Sequence, residues 1–479
     1  MHGKAPEQET LHESGGTRSD TGPTTRGNRE LRLAQIILAA QQAFQEDGYA
    51  GFGARGVAGR VGITLGNLQY YFRTKEELLR VALETYVRQI VKDHSAIANQ
   101  SGVGPTRRCS ELVDRVFHDI NETDMPKFLL ELWAFAQHEP YAAELVEEMH
   151  SEYRSSFAKL LAEIHPTLTN EQRLVRASIL VVQMAGLVIA NHFGRDSDKD
   201  FTEFVRLTRR IAKMITSLSQ QELEGSVPSH DSSRHQANSK GGAHSRVLGS
   251  EEHVKHGLFE LSLRQAGQDA PYYRPTVQGK RREVKINEII SSAANLLATE
   301  GYANFTLARV AEELGIPRSA LKNYFPTHED LLRSTIVALV NTYLDRYADM
   351  GRPTGKPAME RLREIVDDAF EEVRDPRICQ FEFELLALAQ HSDITLELLR
   401  RLYTAYRAIY VDLVREIDAS ATARECHARA RLIAAQMEGA IILMSGSRKQ
   451  PPDVDRVFEL MRAITIRLAH GNIAAKEAA

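Results

Sequence analysis

Two short runs of hydrogen-bonding side chains carry the clearest chemistry in this sequence. In the first, Asn67, Gln69, Tyr70 and Arg73 surround the apolar pair Leu68 and Phe72. In the second, Arg318, Ser319, Lys322, Asn323 and Tyr324 surround Leu321 and Phe325. Residues four apart lie on one face of a helix, so each apolar pair turns inward and leaves amides, hydroxyls and cations outside. Such a face has the groups needed to read base edges in a major groove: Asn and Gln pair with adenine, Arg and Lys with guanine. A single run of this kind is ordinary solvated helix surface. Two, in one register and each just after a glycine, favour the nucleic-acid reading.

The elements that must position these runs are helical. Ile36, Ile37, Ala40, Ala43 and Phe44 share a face at spacings of three and four, and the pattern stops at Gly48. Ile286, Ile289, Ile290, Ala293 and Leu297 repeat it and stop at Gly301. A helix of about eight residues follows each, then Gly62 or Gly315, where the chain must reverse within about four residues and a side chain would crowd the turn. No stretch alternates with period two, so an all-α fold is predicted.

The same organisation occurs twice at a constant offset of 253 residues. Over residues 32–80, 19 of 49 positions are identical to their partners. The register then continues without a gap: Gln137-His138 matches Gln390-His391, and Gln183-Met184 with Gly186 matches Gln436-Met437 with Gly439. The chain therefore reads as two copies of one domain. Predicted boundaries are a disordered tail over 1–27, headpieces over 28–80 and 280–333, sensor or pairing domains over 81–220 and 334–475, and a flexible linker over 221–279. Seven of the 17 histidines fall in the tail and linker; His253 and His256 read there as solvated residues, not metal ligands.

The net charge of -4 gives no overall sign of a polyanionic partner, but it is unevenly spread. Residues 24–80 carry eight Lys/Arg against five Asp/Glu, and residues 278–334 eight against seven, so the rest of the chain carries -8. Arg26, Arg29, Lys280, Arg281 and Arg282 sit at or before each first helix, where they could grip phosphate. Three scattered cysteines give neither a disulfide framework nor a metal spacing, which fits a reducing cytoplasm. The N-terminus lacks the apolar core of a secretory signal. The longest apolar run, near 177–190, is shorter than the ~20 residues of a membrane span. No membrane role and no cofactor are expected, and no phosphate loop, nucleophile elbow or dinucleotide fingerprint suggests an enzyme.

The segments VAGRVGITLGNLQYYFRTKEELL and VAEELGIPRSALKNYFPTHEDLL resemble the TetR family signature, strongly over about 50 residues of each copy. The resemblance implies nine-helix units, each with an N-terminal helix-turn-helix headpiece, a variable ligand pocket and two C-terminal helices for pairing. It implies that Thr64 caps the recognition helix and touches phosphate, that Tyr71 contacts the DNA backbone and that Lys75 binds phosphate. Leu65, Gly66, Asn67, Gln69 and Tyr70 would approach base edges or sugars. The second copy departs: Pro317 replaces the hydroxyl residue and His328 the lysine, and its reading face is Arg318, Ser319, Lys322, Asn323 and Tyr324. The implied partners are a double-stranded operator and a small lipophilic inducer, with repression the usual mode. Phe128, Trp133, Phe135, Phe381 and Phe383 are pocket candidates, although core packing is the commoner role of such residues. Pairing of the two copies within the chain, through the segments holding Gly186 and Gly439, is the favoured arrangement. The competing reading is a protein-binding sensor with one or both headpieces degenerate.

Overall fold

A computed structural model describes residues 25–193, 201–225, 280–444 and 453–473. Most of the tail expected to be disordered, most of the expected linker, and His253 and His256 lie outside the described residues. Among those described there is no strand, and the chain is all-α.

The first headpiece consists of α1 (Thr25–Gly51), α2 (Ala54–Val61) and α3 (Leu65–Tyr71), and α4 (Lys75–Ala98) leads out of it. Ile36, Ala40, Ala43 and Phe44 are fully buried, as their spacing requires. The regular helix of α1 breaks at Gly48, whose φ of 68° favours glycine. Gly62 takes a left-handed φ of 72° and donates its N–H back to the end of α2, which reverses the chain into α3. In the second headpiece the corresponding elements are α11 (Lys280–Glu300), a single 3-10 turn over Tyr302–Asn304, α12 (Leu307–Glu313) and α13 (Arg318–Lys322), leading to α14 (His328–Gly351).

The bodies follow the same plan. The first has α5 (Pro105–Glu122), α6 (Met125–Phe135), α7 (Pro140–Ile164), α8 (Asn170–Phe193) and α9 (Phe201–Ser217). The second has α15 (Ala358–Glu372), α16 (Pro376–Leu388), α17 (Asp393–Ile417), α18 (Ala423–Met444) and α19 (Val454–His470). Each unit thus has nine helices among the described residues, and the first adds a short α10 (Gln220–Glu224).

That short helix corrects the expected linker boundary. Ser219 and Glu222 form a reciprocal capping box, Leu223 is fully buried, and Arg467 of the second unit donates to the carbonyls of Glu222 and Leu223. Residues 221–225 therefore dock on α19 rather than belonging to a linker. Residues 25–27, expected in the tail, lie in the first turn of α1.

The most extensive packing between units is α8 against α18. A Cβ on Gly186 would sit 1.6 Å from the Ala435 carbonyl oxygen, and one on Gly439 would sit 2.0 Å from that of Val182. Only glycine lets the two backbones touch, and α9 and α19 complete a four-helix bundle around this crossing. By length and composition α8 could cross a membrane, but its most apolar window is 83% buried inside the protein.

Candidate nucleic-acid interface

Each headpiece presents its recognition helix outward. Leu68 and Phe72 are buried, whereas Gly66, Asn67, Gln69 and Tyr70 are exposed, Tyr70 at 70%. Leu65 and Tyr71 are half-buried at the edge of the face. Thr64 Oγ1 accepts the Asn67 N–H at 3.2 Å, which satisfies one free amide of the first turn and fixes where the helix begins. Arg29 is exposed, and its guanidinium lies 5.7 Å from the centre of the Tyr70 ring, so the start of α1 reaches the reading face. Lys75 is exposed at the first residue of α4, beside the cap made by Thr74.

The second headpiece keeps the scaffold and changes the chemistry. Arg318, Ser319, Lys322 and Asn323 are exposed, and Tyr324 is half-buried. Arg318 and Lys322, one turn apart, border an open groove with Thr306, Thr327 and His328. Pro317 precedes α13 without a side-chain cap. His328 is drawn inward, its Nε2 3.0 Å from the Phe305 carbonyl oxygen and its ring against Phe305. Arg282 lies over the Tyr324 ring at 4.8 Å and donates to the Asn323 carbonyl at 3.1 Å. Arg281 is exposed. Lys280 opens α11, but its side chain is outside the described residues.

Below the headpieces, the structure joins residues that the sequence showed only as repeated. Glu131 on α6, 1% exposed, accepts the Tyr49 N–H at 3.0 Å in its own unit. It is also bonded to His391 Nε2 and Gln390 Nε2 of the other unit, each at 2.8 Å. Glu384 on α16, fully buried, reciprocates. It accepts the Tyr302 N–H at 2.7 Å and the Tyr49 hydroxyl at 2.8 Å, and lies 2.8 Å from His138 Nε2. Glu131 holds His391 above the usual imidazole range, and the Tyr49 hydroxyl is pushed up by burial and by Glu384.

These anchors grip the points where the first helices end. A Cβ at Gly48 would lie 2.5 Å from His391 Nε2, and one at Gly301 would lie 2.7 Å from His138 Nε2. Each glycine is therefore required by space as well as by φ. Its neighbour in space is a histidine more than 160 residues away in the chain, on the opposite unit. The signal available in the sequence was the recurrence of Gly-Tyr and Gln-His at one offset; nothing in it said that they meet crosswise.

Each body encloses a cavity. The first, about 30 Å³, is lined by Trp133, His94, His150, Tyr153 and aliphatic side chains. Burial and nearby Arg154 push His150 down to about 3. The second, about 80 Å³, is lined by Phe381 and by four tyrosines and three glutamates. Three pocket expectations need correction, because Phe128, Phe135 and Phe383 line neither of these cavities. Phe128 packs between Phe44 and Tyr86, and Phe135 against Phe44 and Tyr49, so both join the headpiece to the body. Phe383 meets Trp133 across the unit boundary at 5.9 Å. Their helix turns a second apolar face toward other protein, which an apolar count cannot distinguish from a cavity wall.

Two outward-facing helix-turn-helix motifs on paired helical bodies define a DNA-binding transcriptional regulator. The N-terminal domain model of the bacterial regulatory proteins of the tetR family matches twice, at residues 36–82 and 289–335. The C-terminal domain model of BetI-type transcriptional repressors matches residues 358–470. The HTH-type transcriptional regulator BetI of Stenotrophomonas maltophilia is 26% identical over 180 residues, covering 36% of this chain and 90% of that protein. BetI of Burkholderia thailandensis is 29% identical over 165 residues, covering 34% and 82%. A transcriptional regulator structure from Pseudomonas aeruginosa aligns over 39% of this chain and 89% of its own, with TM-score 0.35 and 15% identity. One from Streptomyces coelicolor covers 39% and 99%, with TM-score 0.32 and 23% identity. The chain carries two TetR-like units in tandem, and the family and relatives it matches are transcriptional regulators rather than enzymes.

Proposed function

We propose that this chain is a cytoplasmic, ligand-responsive repressor that binds one operator of two unlike, pseudo-palindromic half-sites as a pseudo-dimer within a single polypeptide. The observation that carries the reading is the glycine-on-glycine crossing of α8 and α18, because it ties the placement of both headpieces to one shared bundle. The outward face of α3 offers amides and a phenol, and that of α13 offers two cations and a hydroxyl, so the half-sites should differ in sequence. Thr64, Tyr71, Lys75, Arg29, Lys280 and Arg281 would serve the phosphate backbone, and the remaining exposed residues of α3 and α13 the base edges. Covalent linkage raises the effective concentration of the second unit to about the millimolar range, so pairing no longer depends on protein level. A small lipophilic ligand in a body cavity would shift the headpieces and release the operator.

The test is a footprint combined with the mass of the complex. One chain should protect two adjacent major-groove segments about 35 Å apart, and scrambling either half-site should weaken binding. A complex holding two chains on one such operator would overturn the pseudo-dimer. A second reading, in which the second headpiece is degenerate for DNA, draws on the inward His328 and the uncapped Pro317. Arg318→Ala with Lys322→Ala decides: unchanged operator affinity selects the second reading.

A further inference from the structure

The two cavities occupy matching places at the 253-residue offset, yet their linings differ in kind. Leu129, Ala185 and Ile90 of the first correspond to Glu382, Glu438 and Tyr343 of the second, and His94 and His150 to Tyr347 and Tyr403. A lining of aliphatic groups and imidazoles has become one of carboxylates and phenols.

Not all of these carboxylates are satisfied by protein. Glu372 accepts the Tyr347 hydroxyl at 2.9 Å and pairs with Arg346 at 3.1 Å, and Arg346 is shared with Asp368. Glu438 accepts the Tyr403 hydroxyl at 3.0 Å, with Arg407 contributing a more distant positive charge. Glu382 has no hydrogen-bonding or ion-pair partner among the described residues. Its side chain is half-buried and lines the cavity. Burial and the charges of Glu438 and Glu372 hold it well above the ordinary carboxylate range, and Glu438 is pushed up to about 7. A buried carboxylate left without a partner is costly unless something positive joins it or it takes up a proton.

We propose that the second cavity, and not the first, is the site of one small protonated amine, with N–H donors for Glu382 and Glu438 and an apolar body of about six to eight non-hydrogen atoms, the room of roughly half a dozen waters at ~10–15 Å³ each. This rests on reading the chain as ligand-responsive, and names the ligand's class. The open lone pairs of Glu382 call for donors, which a quaternary ammonium lacks. Tyr343, Tyr347, Tyr403 and Tyr406 offer ring faces to the cation, and Leu385, Leu399 and Ile441 take the hydrocarbon. The site also borders the other unit, since Phe193 at the end of α8 stacks on Tyr403 at 6.1 Å.

Calorimetric titration of the full chain, free of DNA, tests this with n-hexylamine, n-hexanol, hexanoate and tetramethylammonium. The amine should bind at one site per chain, and the other three roughly tenfold or more weakly. Glu382→Gln, close to isosteric, should reduce amine affinity by about tenfold or more while the thermal midpoint stays within a few degrees. Leu129→Met in the first cavity should leave the affinity unchanged. Hexanol binding as well as hexylamine, two sites per chain, or an unaffected Glu382→Gln would each overturn the proposal. Tetramethylammonium binding as tightly as the amine would overturn the donor requirement. No operator is present, so none of these failures bears on DNA recognition, and failure of the footprint would not remove the amine site.

Discussion

The two units share a fold but differ in chemistry on their outward headpiece helices and along their cavity walls. At the turns and anchors the copies agree: Gly48 and Gly301, Gly62 and Gly315, Glu131 and Glu384, His138 and His391. On the reading helices and cavity walls they diverge. Asn67 faces Ala320 in the alignment, Gln69 faces Lys322, and Leu129 faces Glu382. The first cavity is lined by Trp133, whose Nε1 is buried without a partner, and by a histidine kept neutral; the second is lined by an unpartnered acceptor, Glu382. Positions fixed by backbone geometry leave little freedom, whereas a surface that meets a ligand can change its chemistry at small cost to stability. Two tethered copies can thus carry different specificities on one frame.

The sharpest way to break this comparison is to separate the units. Gly186→Leu places a side chain where even a Cβ would overlap the Ala435 carbonyl, so α8 and α18 must part. A loss of about 3 kcal/mol or more is expected, read as a lower midpoint and two separate transitions in calorimetry. A neutral Gly186→Leu would show that the bundle does not hold the units together.

Next comes the crossed anchor. Glu384→Ala removes the acceptor for the Tyr302 N–H and the Tyr49 hydroxyl and leaves His138 without its partner, so about 3 kcal/mol should be lost. Both headpieces are touched by this one residue. Glu384 is also two positions from Glu382, on the helix that walls the second cavity. Hexylamine should therefore weaken operator binding by the intact chain, and should do so less in Glu384→Gln. An equal amine effect in both proteins would mean that α16 is not the route.

The units should also respond to pH in opposite directions. His150 is held neutral in the folded first unit, near 3, whereas the unfolded chain takes up a proton near 6.5. Stability is therefore lost as pH falls below about 6.5, reaching about 2–3 kcal/mol near pH 4.5. Its counterpart Tyr403 does not titrate there. In the second unit Glu438 keeps its proton to about 7, so stability declines as pH rises from ordinary carboxylate values toward 7. Hydrogen exchange resolved by unit checks both slopes. His150→Gln should make the first slope shallower without changing the second, the remainder belonging to His192 and His94, which burial also holds down; an unchanged first slope in that variant would refute the assignment.

How much of this was legible depended on the range of the interaction. Helices, turns and the reading faces follow from local periodicity and from glycines whose φ is positive, so they could be placed from residues a few positions apart. The α8–α18 crossing was suggested because two nearly all-apolar helices each carried a glycine. The crossed anchors were not legible, since the partners of Glu131 lie both 82 residues before it and about 260 after it. The pocket was misjudged for a related reason. Of the five aromatic candidates, Trp133 and Phe381 line one or other of these two cavities and Phe128, Phe135 and Phe383 line neither, whereas the informative difference is the pair of carboxylates at the positions of Leu129 and Ala185. Helix α10 escaped notice because its five residues sit at the edge of a polar stretch and are held by Arg467 of the other unit.

The smallest expected effect separates the two headpieces at one position. Lys75 is exposed at the start of α4, and its counterpart His328 is turned to the Phe305 carbonyl. If both headpieces grip phosphate, only the first does so from this position. Lys75→Ala should lower affinity for all sequences alike and reduce the salt slope of log K by about 0.9, the share of one phosphate. His328→Ala should leave that slope unchanged and lower the stability of the second headpiece by about 1 kcal/mol for the lost hydrogen bond. Measuring operator affinity from low to moderate salt for both variants decides the matter. Equal slopes for His328→Ala and Lys75→Ala, both below the parent, would show that His328 swings out on DNA and that the two headpieces are more alike than their free forms.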